Sequence, residues 1–206
     1  MEKDKRKLLG LMMGLSVLFF VLVWSVWLAG PLTAMDEQIM QWVMGVRSPL
    51  LTDVFLFFTV LGSMRVIIYF GAAVLLALLL FKRWRSMQFL IASVVVGELL
   101  ERILKITIGR TRPDASFSLI SSDGYAFPSG HATTAMVFYG ALLFILWSWC
   151  QKRWQKNGVA FLAAMLILLV GLSRIYLGVH WMSDVLGGWL LGAITLLIIF
   201  ILHKRF

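Results

Sequence analysis

Cysteine is nearly absent: Cys150 is the one thiol among 206 residues. A single cysteine excludes an intrachain disulfide and a cysteine-built zinc site, and a packed membrane thiol is its ordinary role. Charge is scarce as well. Asp, Glu, Lys and Arg make up 14% of the chain, against about 25% in soluble domains. Hydrophobic residues reach 61%, and the mean hydropathy is +0.91. A disordered chain is excluded, and a soluble globule this small has too much surface to cover with so few polar groups. There is no internal repeat or low-complexity linker, and the length fits a single domain, 1–206. The net charge is +9 and the pI about 10.1. A basic balance points to nucleic acid or to an anionic membrane surface, and in so apolar a chain the positions of the charges decide.

What fills the chain is long apolar runs. A hydrocarbon core about 30 Å thick needs roughly 20 apolar residues of helix. Six segments are predicted spans: Leu8–Ala29, Val66–Phe81, Met87–Ile108, Ala132–Trp149, Val159–Leu172 (running on toward Tyr176) and Val185–Leu202. The predicted fold is therefore all-α, a polytopic bundle of six transmembrane helices. The first run is too long for a cleaved signal and reads as an anchor that stays. Between spans one and two, Val54–Leu61 is too short to cross. Flanked by Pro49 and Gly62, it predicts a short interfacial or re-entrant helix, with Trp42 suited to the headgroup layer.

Basic residues cluster at Lys3, Lys5, Arg6 and Lys7, at Lys82, Arg83 and Arg85, at Lys152, Arg153 and Lys156, and at Lys204 and Arg205. These places alternate between spans, so all four fall on one side of the membrane. The positive-inside rule makes that side, and both termini, cytoplasmic. The clusters hold twelve of the 19 Lys and Arg, so the basic pI mostly records orientation rather than a nucleic-acid partner. Arg47, Arg65, Arg102, Lys105, Arg110, Arg112 and Arg174 run against the bias and need another reason to be there.

The third span carries Glu98, Glu101, Arg102 and Lys105. Glu98 with Arg102, and Glu101 with Lys105, are spaced i,i+4, acid before base, which predicts two neutralising pairs. Lys105, Arg110 and Arg112 crowd the outer end of this span, and Arg174 ends span five on the same side. Converging cations suit a multiply charged anion such as phosphate. Just before span four, Phe127-Pro128-Ser129-Gly130-His131 reads as a turn entering a helix. Its free N–H groups and the Ser129 hydroxyl suit either an anion or a plain helix cap. Further on, His180 and Asp184 are four apart, which stacks a carboxylate on an imidazole. Such a pair either orients a nucleophile or base, or merely satisfies itself. His131, His180 and Asp184 do not form a zinc set, since no helix carries a two-histidine pair and the nearby cations oppose a metal. His203 reads as an interfacial residue of the tail.

Three motifs occur in order: Lys105 with Arg112-Pro113; Pro128-Ser129-Gly130-His131; and Ser173-Arg174-x-Tyr176-x-Gly178-x-His180-x-x-x-Asp184. Together they resemble the type 2 phosphatidic acid phosphatase superfamily, and within it the small bacterial lipid phosphatases of the phosphatidylglycerophosphatase B type. The resemblance implies an integral membrane lipid phosphatase without metal or other cofactor. It implies His180 as the nucleophile that becomes phosphohistidine, Asp184 as its orienting partner, and His131 as general acid and then base. Lys105, Arg112, Ser129, Gly130 and Arg174 are implied as the phosphate cradle. The expected substrate is a lipid phosphate in the bilayer: phosphatidylglycerol phosphate, with phosphatidic acid and undecaprenyl diphosphate as alternatives. The expected location is the cell inner or plasma membrane, with the site facing the extracytoplasmic side. No nucleic acid is expected, and no protein partner is evident. A non-catalytic binder, or a transporter of anionic lipid, is the reading of another class.

Overall fold

Eight α-helices and one 3₁₀ turn account for most of residues 2–28 and 31–203, the part of the chain described by the computed structural model. They are α1 (Glu2–Trp27), α2 (Pro31–Gly45), α3 (Pro49–Leu61), α4 (Met64–Leu80), α5 (Trp84–Ile108), α6 (Gly130–Trp149), α7 (Arg153–Tyr176) and α8 (Met182–His203). The 3₁₀ turn is Ala115–Phe117, and no strand occurs among the described residues. Ala29, Gly30, Lys204 and Arg205, which belong to the expected first span and tail, lie outside the described residues, as do the side chains of Lys3 and Lys5.

Each predicted span falls on a helix: α1, α4, α5, α6, α7 and α8. Most of these helices run a turn or so past the apolar stretch, because backbone hydrogen bonding continues into polar flanks that hydropathy does not register. By length and composition α1, α6, α7 and α8 can each cross a membrane. A fifth candidate is α3 with α4, joined at a 53° bend. Two serines shape this segment. Ser48 accepts from the Leu51 N–H ahead of Pro49, and Ser63 accepts from the Val66 N–H, restarting the chain as α4. The helix expected at Val54–Leu61 is thus the latter part of α3, and α2 is an additional helix that hydropathy did not reveal. Its Trp42 is exposed, as are Phe20 and Trp24 on α1 and Phe161 on α7. An apolar exterior of this kind is solvated by lipid rather than by water.

The centre of the bundle is α6, packed by α5, α7 and α8, with α1 on α8 and α3 on α7. Lipid tails are as apolar as side chains, so close fit rather than burial from water holds such helices together. At Gly188 a Cβ would stand 2.7 Å from the Ser129 carbonyl oxygen and 2.9 Å from the Ala132 Cβ. Only glycine lets the start of α8 lie this near the start of α6. The Ser129 N–H then donates to the Asp184 carbonyl at 3.0 Å, tying the second motif to the third.

The two ends of the bundle differ in kind. At one, Arg83 lies over the Trp149 ring at 6.0 Å and Lys156 over Trp147 at 5.8 Å, so two of the predicted cytoplasmic clusters share an end. At the other end the last turns of α5 and α7 meet the first turns of α6 and α8.

Candidate active site

The eight site residues expected from the sequence gather at this second end. The loop after α7 turns at Gly178 (φ +74°), where a Cβ would sit 2.0 Å from the Phe117 carbonyl oxygen, so the left-handed turn and the close approach both require glycine. The turn delivers His180 just ahead of α8. Its ring is buried, and Asp184 on the first turn of α8 is fully so. His180 Nδ1 faces Asp184 Oδ2 at 3.4 Å, and His180 Nε2 faces Arg112 Nη1 at 3.2 Å. A guanidinium can only donate. The Arg112 contact therefore makes Nε2 the acceptor and puts the ring proton on Nδ1, toward the carboxylate.

Burial, with Arg174, Arg112 and Lys105 nearby, holds the His180 imidazole well below its ordinary range, so the ring is neutral near pH 7. Nε2 is thus unprotonated, and its lone pair accepts from Arg112. Arg112 is itself anchored by donating to the carbonyls of Gly124 (2.9 Å), Asp123 (2.8 Å) and Val179 (2.8 Å). Burial lowers its guanidinium from the ordinary arginine range, partly offset by Asp184, Asp123 and Glu101.

Arg174 ends α7 buried, and its Nη1 donates to Thr59 Oγ1 on α3 at 2.6 Å. Its Nε has no partner among the described residues, and neither has the fully buried Ser129 Oγ. Buried polar groups are seldom left unpaired unless they have another task. Lys105 pairs with Glu101, as expected, and the two lie against Gly130, where a Cβ would be 3.0 Å from Glu101 Oε1 and 3.6 Å from Lys105 Nζ. Glu98 takes a different partner from the expected Arg102: it accepts from the Thr134 hydroxyl of α6. Buried side chains seek the nearest interior donor, and the facing helix supplies one. His131, in the first turn of α6, abuts Gly62, whose Cβ would stand 3.3 Å from His131 Cδ2. Lys105, Arg112 and Arg174 all act electrostatically on both His131 and His180, and His180 acts on His131. The site thus joins three cations, a helix N-terminus, two unpaired buried polar groups, an oriented neutral imidazole and a second histidine.

Several residues here were not singled out by sequence. Thr59 orients Arg174. Arg110 reaches Asp184, Ser183 and Asp36 together, and Asp36 comes from α2. The sequence groups Arg110 with Lys105 and Arg112 among the converging cations suited to phosphate, and the structure turns it to two carboxylates instead; Asp36 and Thr59 had no signal. Tyr176, part of the third motif, serves the scaffold. Its hydroxyl meets Ser48 and Thr52 at the start of α3, and its carbonyl accepts from Arg47.

The profile of the PAP2 superfamily matches residues 86–206. The chain is 32% identical over 198 residues to phosphatidylglycerophosphatase B of Bacillus subtilis, covering 92% of this chain and 91% of that one. It is 34% identical over 125 residues to an undecaprenyl-diphosphatase of Sulfolobus acidocaldarius, covering 56% and 55%. In three dimensions it is similar to the crystal structure of the first transmembrane PAP2 type phosphatidylglycerolphosphate phosphatase from Bacillus subtilis. That match has a TM-score of 0.86 at 26% identity and covers 94% of this chain and 96% of that chain. With all three motifs inside the matched residues and a relative aligned along almost its whole length, the chain belongs to the PAP2 superfamily.

Proposed function

We propose that this membrane lipid phosphatase removes the terminal phosphate of phosphatidylglycerol phosphate, with phosphatidic acid as a further substrate, through a phosphohistidine on His180. The observation that carries the reading is the His180 ring: Nδ1 toward Asp184, Nε2 unprotonated and facing Arg112. Lys105, Arg112 and Arg174 neutralise the non-bridging oxygens of the phosphate. Ser129 and the N–H groups at the start of α6 bind it further. The Nε2 lone pair attacks phosphorus in line, and the P–O ester bond breaks. The negative charge of the bound phosphate keeps a proton on His131, and that proton passes to the departing alkoxide. His131 then takes a proton from water, the water oxygen attacks phosphorus, and the P–N bond breaks with its electron pair returning to Nε2. In this scheme the cations and the helix N-terminus supply the charge stabilisation that other phosphatases draw from a metal ion.

The substrate assignment rests on the relatives: the one aligned along most of its length acts, by its name, on phosphatidylglycerophosphate. A second reading, undecaprenyl diphosphate, is favoured by the Sulfolobus relative. Phosphate release by purified protein from a panel of phosphatidylglycerol phosphate, phosphatidic acid and undecaprenyl diphosphate decides between them. Absence of turnover on every lipid would leave a non-catalytic binder or a transporter instead. For the intermediate, lipid labelled in its terminal phosphate is mixed with protein and quenched in base. Label retained on wild type and absent from His180→Ala is the expected result.

The same reading sets the topology. One domain spans the bilayer six times, with α5 as a span whose acids turn toward α6. Both termini are cytoplasmic, and the site opens at the extracytoplasmic face of the inner or plasma membrane. Reporter fusions at the carboxy terminus, active only in the cytoplasm, test this.

A further inference from the structure

Three partners hold one carboxylate beside the proposed nucleophile. Asp184 Oδ2 accepts the Trp181 N–H at 2.8 Å and faces His180 Nδ1, while Oδ1 accepts from Arg110 Nη1 at 2.5 Å. The same Nη1 donates to Ser183 Oγ at 2.6 Å, and Nη2 donates to Asp36 Oδ2 at 2.8 Å. Asp36 in turn accepts from the Ser183 N–H (2.9 Å) and its hydroxyl (2.5 Å), capping the first turn of α8 from outside the helix. Asp36 and Asp184 are buried, and the Arg110 side chain is 11% exposed. Three separate segments meet here: α2, the loop after α5, and the start of α8. The Trp181 ring, 5.8 Å from Arg110, flanks them.

We propose that Arg110 and Asp36 are positioning residues for the His180–Asp184 pair, with Arg110 aiming Asp184 at Nδ1 and Asp36 fixing Arg110 from α2. This rests on the reading of His180 as nucleophile. A lone buried carboxylate would take up a proton, and a protonated Asp184 no longer fixes the ring proton on Nδ1. Arg110 opposes this by its charge and its bond to Oδ1. Two carboxylates against one guanidinium leave one net negative charge beside a neutral ring. That balance favours the positive charge the ring gains when Nε2 bonds to phosphorus. Neither residue reaches Nε2, so neither is a ligand of the transferring phosphate. The charged groups around Asp184 are Arg110 and Arg112 from the loop after α5, His180 ahead of α8, and, through Arg110, Asp36 from α2; α6 presents the Ser129 N–H to its backbone.

The test compares full-length Arg110→Gln, Arg110→Lys and Asp36→Asn with wild type and His180→Ala, in detergent, across pH. Arg110→Gln is expected to lower kcat about 10²-fold or more with KM little changed, because a misoriented catalytic imidazole loses turnover rather than binding. Its acid limb should move to higher pH, since removing the cation disfavours the ionised carboxylate. Arg110→Lys should return the limb toward wild type but recover only part of kcat, as one ammonium does not span both carboxylates. Asp36→Asn keeps the cap on Ser183 and should lower kcat about tenfold at unchanged KM. A raised KM at wild-type kcat in Arg110→Gln would make Arg110 a substrate ligand and overturn the proposal. So would wild-type kcat and pH profile in Asp36→Asn, which decides the matter if Arg110→Gln does not fold. If His180→Ala itself retains turnover, the reading of the site fails; if it is inactive while both Arg110→Gln and Asp36→Asn behave as wild type, this inference alone fails.

Discussion

At one end of the bundle Arg83, just before α5, and Lys156, in the first turn of α7, lie over Trp149 and Trp147. At the other, Arg110 is enclosed between Asp36 and Asp184, and Arg174 is buried on Thr59. The residue types are alike; the surroundings are not. A cation at the rim of the bundle keeps its hydration and needs only rough placement, so its energetic worth is small. A cation taken out of water must be matched in charge and hydrogen bonding, so its position is exacting. The lesson is that charge count says little here, and the depth at which each charge is held says most.

The sharpest way to break this contrast is at the proposed nucleophile. His180→Ala should lower phosphate release by at least about 10³-fold, and Asp184→Asn by about 10²–10⁴-fold, read as kcat on the preferred lipid phosphate. His131→Ala should cost about 10²–10⁴-fold, the usual worth of general acid–base assistance. The pH profile sharpens the picture. Because burial and cations hold His180 below its ordinary range, its neutral form persists as pH falls, so kcat/KM should stay level through about 6.5 and fall only well below it. In the substrate complex the phosphate charge favours the imidazolium, so the limb of kcat should lie at higher pH than that of kcat/KM. An acid limb of kcat/KM at about 6.5 or above that is not the ionisation of the substrate's own phosphate would contradict the buried, cation-facing ring.

A smaller effect is expected from packing. Gly188→Ala puts a methyl against the Ser129 carbonyl, and should lower stability by about 1–3 kcal/mol in thermal unfolding, with turnover reduced as α6 and α8 part. Smallest of all, Arg83→Gln and Lys156→Gln should change kcat not at all and stability by no more than about 0.5 kcal/mol. A substantial loss of turnover in either would erase the distinction between the two ends.

Much of this was legible without coordinates. Long apolar runs mark the helices because lipid leaves no other way to pair a backbone, and each predicted span is found on a helix. Lys105, Arg112, His131, Arg174, His180 and Asp184 stood out because charges and histidines are conspicuous in so apolar a chain, and Ser129 and Gly130 through the turn that enters a helix and the motif it forms. The segment 31–63 was the poorest in signal. Its amphipathic α2 has no long apolar run, and the break between α3 and α4 depends on two serine caps that hydropathy does not weigh.

What tertiary structure alone decided is which polar groups pay attention to one another. Asp36 and Ser183 are 147 positions apart, Thr59 and Arg174 115 positions, and Arg110 and Asp184 74 positions. Spacing rules reach a turn or two of helix, as they did for Glu101 with Lys105, and misdirected Glu98, whose partner came from a neighbouring helix. Composition and order of residues were enough to specify a membrane bundle with a cluster of cations and histidines at one end. The protonated nitrogen of His180, the carboxylates shared by Arg110, and the approach of α8 to α6 depend on contacts that exist only once the helices have packed.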